Sequence, residues 1–111
     1  MNKKIKAGLE DILRSIDEIF EFLPKQKNFL YYRENLIIKK AVERNLEIIG
    51  EAVGRILKED DTFPLKNAKR IIDTRNRIIH GYEKISDEMI WTIVTRELPY
   101  LRGEVKSLLK E

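Results

Sequence analysis

The sequence predicts an all-α protein, built as an up-down antiparallel bundle of four main helices. Apolar residues recur three or four positions apart along almost the whole chain, and no segment alternates as a half-buried strand would. Helix breakers are sparse, with three Pro and five Gly in 111 residues, which leaves little room for long linkers. A hydrophobic content of 42% beside a charged content of 37% suits amphipathic helices around one core, and the length suits one domain.

The first helix is expected over residues 2–23. Ile5, Leu9, Ile12, Ile16, Ile19, Phe20 and Leu23 step by three or four and mark its buried stripe. Pro24 ends it, because a proline ring and its missing N–H cannot continue the hydrogen-bond ladder. After a short polar connection, a long second helix is expected over residues 30–57. Its inner stripe is Ile38, Ala41, Val42, Asn45, Ile49, Ala52, Val53 and Ile56, with Arg44, Glu47, Glu51 and Arg55 turned elsewhere. Gly50 and Gly54 lie one turn apart, and glycine weakens a helix relative to alanine. The pair therefore points to another helix passing close by.

The segment KEDDTFP, residues 58–64, reads as a loop. A short third helix is expected over 65–79, with Gly81 placed where a helix C-terminus favours a residue free to take positive φ. Ser86 caps the fourth helix, and Asp87 and Glu88 complement the dipole of its first turn. Ile90, Val94, Leu98, Leu101, Val105 and Leu108 carry its stripe to the C-terminus, and Pro99 should kink it. Trp91 reads as a core or interface residue.

Composition removes several classes of function. There is no cysteine, so neither a disulfide framework nor a thiolate metal site exists. A single histidine rules out a multi-His zinc site within one chain. No metal and no cofactor are expected. No apolar run approaches the roughly 20 residues that span a bilayer, and the N-terminus MNKKIKAGLEDI lacks a signal-peptide core. The expectation is a cytoplasmic protein without membrane contact.

Charge is concentrated in one place. Residues 65–84 hold six Lys or Arg (Lys66, Lys69, Arg70, Arg75, Arg77, Lys84) against Asp73 and Glu83, a local charge of +4. The whole chain carries +3, so the remainder sums to −1. The stretch RNRIIHGY closes this basic segment and contains the only histidine, His80. Asn76 and His80 are spaced i, i+4 and share a face of a continuous helix. The Asn76 amide can then fix the tautomer of the imidazole. Arg75 is offset from His80 by five residues, about 140° around an ideal helix. The two can converge in two ways: the helix ends before His80 and Gly81 redirects it, or the groups act across a two-fold dimer axis.

A guanidinium beside an imidazole suits a phosphodiester. The fork binds phosphate oxygens and stabilises charge at a pentacoordinate transition state, while the imidazole moves a proton. In RNA the nucleophile is already present as the 2′-hydroxyl. The expected roles are His80 as acid or base, Arg75 on the phosphate, Asn76 orienting and Tyr82 lining the pocket. Lys69, Arg70 and Arg77 are further candidates for phosphate contacts.

Arg75, Asn76, His80 and Tyr82 match the R-x4-H-x-Y motif of HepT-type toxins in the HEPN superfamily. AVERNLEIIGEAVGRI, residues 41–56, resembles the second-helix signature of the same family. The resemblance covers nearly all of residues 1–111 as one HEPN-like helical domain. It implies a homodimer with two motifs facing each other across a cleft, metal-independent RNA cleavage, and the toxin role in a toxin–antitoxin pair. The implied partner is an MntA-type nucleotidyltransferase antitoxin that transfers AMP onto the motif tyrosine, here Tyr82. The alternative reading is a non-catalytic RNA- or nucleotide-binding module that accompanies a nucleotidyltransferase. A third is a structural dimer whose basic segment docks an acidic partner.

Overall fold

The computed structural model describes residues 1–23, 28–80 and 86–110. Among these residues the chain is all-α, with no strand. Helix α1 spans Lys3–Phe22, and Asn2 caps it by accepting the backbone N–H groups of Lys4 and Ile5. Its stripe is as expected, with Leu9, Ile12, Ile16 and Ile19 wholly buried. The helix gives way at Leu23, whose backbone is extended (φ −99°, ψ 140°), the conformation favoured in front of a proline. The expected connection at Pro24 lies outside the described residues.

The long second helix is in fact two. Helix α2 covers Phe29–Glu34 and α3 covers Leu36–Glu59, with Asn35 between them in an extended conformation. Asn35 serves both ends. Its backbone N–H donates to the Tyr32 carbonyl at 3.2 Å, and its side-chain oxygen accepts the Ile38 N–H at 3.1 Å. Asparagine competes with the helical backbone for such bonds, so a periodic apolar pattern can run through a break. The short α2 places Tyr32 in the core, where its ring packs against Trp91 (centroids 5.6 Å apart). Phe29 meets the same indole at 6.0 Å, so Trp91 is a packing residue as expected.

Helix α3 is the spine. Val42, Leu46, Ile49, Ala52, Val53 and Ile56 are buried along it, and it packs against α1 on one side and α4 (Ala68–His80) on the other. Gly8 of α1 allows the first of these contacts to close, since a Cβ there would stand 2.8 Å from the Ile56 side chain. Asp60 then turns the chain, its carboxylate accepting from the Thr62 N–H and hydroxyl.

Ser86 caps α5 (Asp87–Thr92) through the Met89 N–H at 3.1 Å, as the sequence suggests. The disturbance expected at Pro99 takes the form of a π-helical stretch, Ile93–Glu97, leading into α6 (Leu98–Lys110). Pro99 has no N–H to offer the Thr95 carbonyl, and its ring crowds that oxygen. The Leu98 N–H bonds instead to Ile93, five residues back. Helix α6 packs on α1, and Arg102 reaches Asp17 there at 2.7 Å.

Tyr32 and Glu43 mark a strained polar spot beside this core. Burial, then the carboxylates of Glu43 and Asp87, push the Tyr32 phenol well above its ordinary range, and among the described residues its hydroxyl has no hydrogen-bond partner. Burial likewise raises the Glu43 carboxyl; Lys39 opposes the shift and Asp87 adds to it. A carboxyl raised on folding disfavours its ionised form in the folded state, so the penalty is full above the folded pKa and absent below the unfolded one. Glu43→Gln should therefore be more stable than the parent at pH 7, with the gain disappearing as pH falls through the carboxylate range. Urea midpoints across pH check this, and a variant less stable at pH 7 contradicts it.

Candidate active site

The two sequence blocks of the motif meet where α4 lies on α3. Helix α4 starts at Ala68, three residues later than expected. Asn67 adopts φ 59°, a left-handed conformation that a helix cannot contain and that asparagine tolerates better than most residues. Leu65, expected in the helix, is instead a buried loop residue. No residue of α4 is fully buried. Ile71, Ile72 and Ile78 only lean on the core, so the helix rests on the outside of α3.

Gly50 determines how close the two helices come. A Cβ on Gly50 would collide with the Arg75 Cβ, would stand 2.7 Å from the Arg75 Cγ, and would lie 3.4 Å from the Ile71 carbonyl oxygen. The stem of Arg75 therefore occupies the space that any other residue would fill. Gly54 behaves differently: nothing lies within 4 Å of a Cβ built there. The paired-glycine expectation holds for Gly50 and fails for Gly54, which α4 does not approach.

The head of Arg75 is directed by two groups. Its Nη1 donates to the Asn76 side-chain oxygen at 3.1 Å, and its Nη2 stands 3.7 Å from the Glu51 carboxylate. Among the described residues the Nε finds no hydrogen-bond partner and is buried, while the side chain as a whole is 32% exposed. Glu51 is the site residue that the sequence pattern hides. Helical periodicity turns it away from the core stripe, and it points neither into the core nor freely to solvent but along the flank where α4 lies. The signal was its position directly after the glycine that admits α4.

His80 is the last residue of α4 and is exposed. The helix is continuous from Ala68 through His80, so the route in which it ends before His80 is not the one taken. On a continuous helix the Arg75 and His80 Cα–Cβ bonds diverge by about 140°. Lys69, Asp73, Asn76 and His80 follow one another at i, i+4, i+7 and i+11, forming a polar stripe along one side of α4. Asn76 thus stands between the two groups. Its oxygen holds Arg75.

The other basic candidates divide. Lys69 is exposed on the His80 stripe. Arg77 is exposed, with Nη1 3.8 Å from the Met89 sulfur. Arg70 turns to the opposite flank, where it pairs with Glu97 at 3.2 Å at the rim of a pocket of about 440 Å³. Leu46, Ile49, Ile71, Ile93 and Leu98 line that pocket, which is separate from the stripe. Gly81 and Tyr82 lie outside the described residues. Among the described residues, no group of three or more His, Asp or Glu is placed to hold a metal ion. Among the described residues, no helix is long and apolar enough to cross a membrane.

The model of the HepT-like ribonuclease family matches residues 12–108. The chain belongs to that family. It is 38% identical over 109 residues to a candidate RNase of Methanocaldococcus jannaschii, covering 96% of this chain and 98% of that one. A candidate RNase of Caldanaerobacter subterraneus is 33% identical over 113 residues (98% and 97% covered). A protein of Thermococcus cleftensis named as a candidate ribonuclease HepT is 32% identical over 117 residues (99% and 100% covered). No solved structure gives a significant match.

The Gly50 contact gives a paired test within one helix. Alanine normally stabilises a helix interior by up to about 1 kcal/mol over glycine, and Gly54→Ala should do so. Gly50→Ala should instead cost about 1–3 kcal/mol, because α4 must move out to relieve the overlap. Denaturant unfolding of the two variants checks this; equal effects would contradict the contact.

Proposed function

We propose that this HepT-like protein is an RNA endonuclease whose cleft is made by two copies of α4. The carrying observation is the handling of Arg75. Its stem is wedged against Gly50 and its head is bonded to Asn76, so a half-exposed cation is held at the edge of the stripe that ends in His80. Such a fork suits a phosphate, because it presents fixed donors and a permanent charge.

The reaction follows from the groups available. The RNA 2′-oxygen attacks the adjacent phosphorus, its proton passes to a neutral imidazole, and the P–O5′ bond breaks as the leaving oxygen takes up a proton. The products are a 2′,3′-cyclic phosphate and a 5′-hydroxyl, without added water or metal. Arg75 neutralises the equatorial oxygens as charge builds there. A homodimer with facing motifs forms two such sites, in each of which one imidazole takes up the 2′ proton and then delivers it to the leaving oxygen. It also removes the angular problem, since Arg75 of one chain can meet His80 of the other. Lys69 and Arg77 on the exposed sides of α4 supply charge for the flanking backbone.

In this reading the protein is the toxin of a toxin–antitoxin pair, and a nucleotidyltransferase antitoxin silences it by placing AMP on Tyr82. The added bulk and negative charge would repel RNA from a site two residues after the imidazole. Support for this rests on the family and on the H-x-Y spacing.

Arg75→Ala and His80→Ala should each slow cleavage of a single-stranded RNA by at least about 100-fold while the protein stays folded and dimeric. Wild-type cleavage should persist in EDTA and leave cyclic phosphate ends. Variants that cut as fast as wild type would overturn the assignment. Co-expression with a nucleotidyltransferase partner should add the mass of AMP to the peptide containing Tyr82, and an unmodified peptide beside an active partner would count against the silencing step.

A further inference from the structure

Glu51 of α3 borders Arg75, and its role, if the ribonuclease reading holds, extends to the handling of RNA. We infer that Glu51 is a positioning residue for Arg75, setting the direction of the guanidinium and the strength with which RNA is held. Three contacts act on Arg75. Gly50 fixes the stem, Asn76 takes Nη1 at 3.1 Å, and Glu51 faces Nη2 at 3.7 Å. The first two come from α3 and from the neighbouring residue of α4. Glu51 is the charge that draws the head back toward α3, so that the group is held from both sides.

The separation matters. At 3.7 Å the pair lies beyond hydrogen-bonding reach, and both side chains are part-exposed, at 32% and 41%. Such a pair contributes little stability, so its removal should leave the fold intact. It does place a carboxylate beside the edge of the guanidinium where a phosphate oxygen would bind. Glu51 therefore has two opposed effects. It orders the cation, which favours the transition state, and it repels the incoming phosphate, which weakens ground-state binding. Removing it should make RNA bind more tightly and be cut more slowly.

That crossing of effects distinguishes positioning from a merely structural role. A loss of folded protein lowers the apparent rate without tightening KM. General removal of negative charge lowers KM without lowering kcat. Glu47, one turn before Glu51 on α3 and paired with Arg44 at 3.0 Å, supplies the control for the second case.

The experiment is steady-state cleavage of one RNA by Glu51→Ala, Glu51→Gln and Glu47→Ala dimers, with the Arg75 Nε–H followed by NMR. Glu51→Ala should lose about tenfold in kcat and lower KM a few-fold. Glu51→Gln should shift the same way by less, and Glu47→Ala should keep wild-type kcat. The Arg75 Nε–H, buried in the wild type, should exchange with solvent faster in Glu51→Ala. Unchanged kcat in Glu51→Ala, or the same loss in Glu47→Ala, overturns the inference. So does unchanged Nε–H exchange, whatever happens to RNA. If the wild type fails to cut RNA at all, the ribonuclease reading falls, and the exchange measurement still decides whether Glu51 orders Arg75.

Discussion

The close approach of α4 to α3 at Gly50 governs the candidate site. A helix that rests on its neighbour only through half-buried isoleucines would normally slide and tilt. Here the stem of an arginine fills the gap left by a missing side chain, with the Ile71 carbonyl also near. Close-packed contacts of this kind resist small adjustments. The register of α4 along α3, and with it the height of every polar group on α4, is pinned at that point.

Pinning Arg75 against α3 has a consequence for His80. On the same unbroken helix, a group five residues further on must leave from another side. One motif residue is thus committed to the helix interface and the other to the open face, with Asn76 between them. Within one chain this looks like a poor arrangement for two groups that share a phosphate. Across a two-fold axis it becomes useful, because each chain offers an ordered cation at the edge of its stripe and an accessible imidazole at the end of it. The Glu51 carboxylate fits the same logic, as a counter-charge that keeps the guanidinium from lying down on the surface before a phosphate arrives.

Much of this was legible in the sequence, for reasons that can be named. The stripes of α1 and α3 are long and regular, so periodicity found their buried faces almost residue for residue. Ser86 followed by two acids announced a helix start, and one was there. What periodicity could not show were interruptions made by asparagine. Asn35 breaks a helix within an apolar pattern that continues on both sides, and Asn67 delays α4 through a positive φ. Both act by local hydrogen bonding or conformational tolerance, which leave the spacing of leucines and isoleucines untouched. Gly50 and Gly54 look alike in sequence, and only the path of α4 separates them. Glu51 stood within the second-helix signature but drew no role, because a charged residue off the core stripe is ordinarily solvated, and here it borders a second helix. The motif residues themselves were recognisable, but their division between an inner and an outer side of α4 required the helix to be seen unbroken through His80.

The central claim is that the cleft needs two chains, and mixing two inactive proteins tests it most directly. Arg75→Ala and His80→Ala homodimers, each unable to cut RNA, are unfolded together and refolded so that chains exchange. If the guanidinium and imidazole come from opposite chains, half of the dimers are mixed and each holds one intact site, so about a quarter of wild-type activity should return. Exchange verified by mass spectrometry with no return of cleavage would mean that both groups act within a single chain, and would contradict the account.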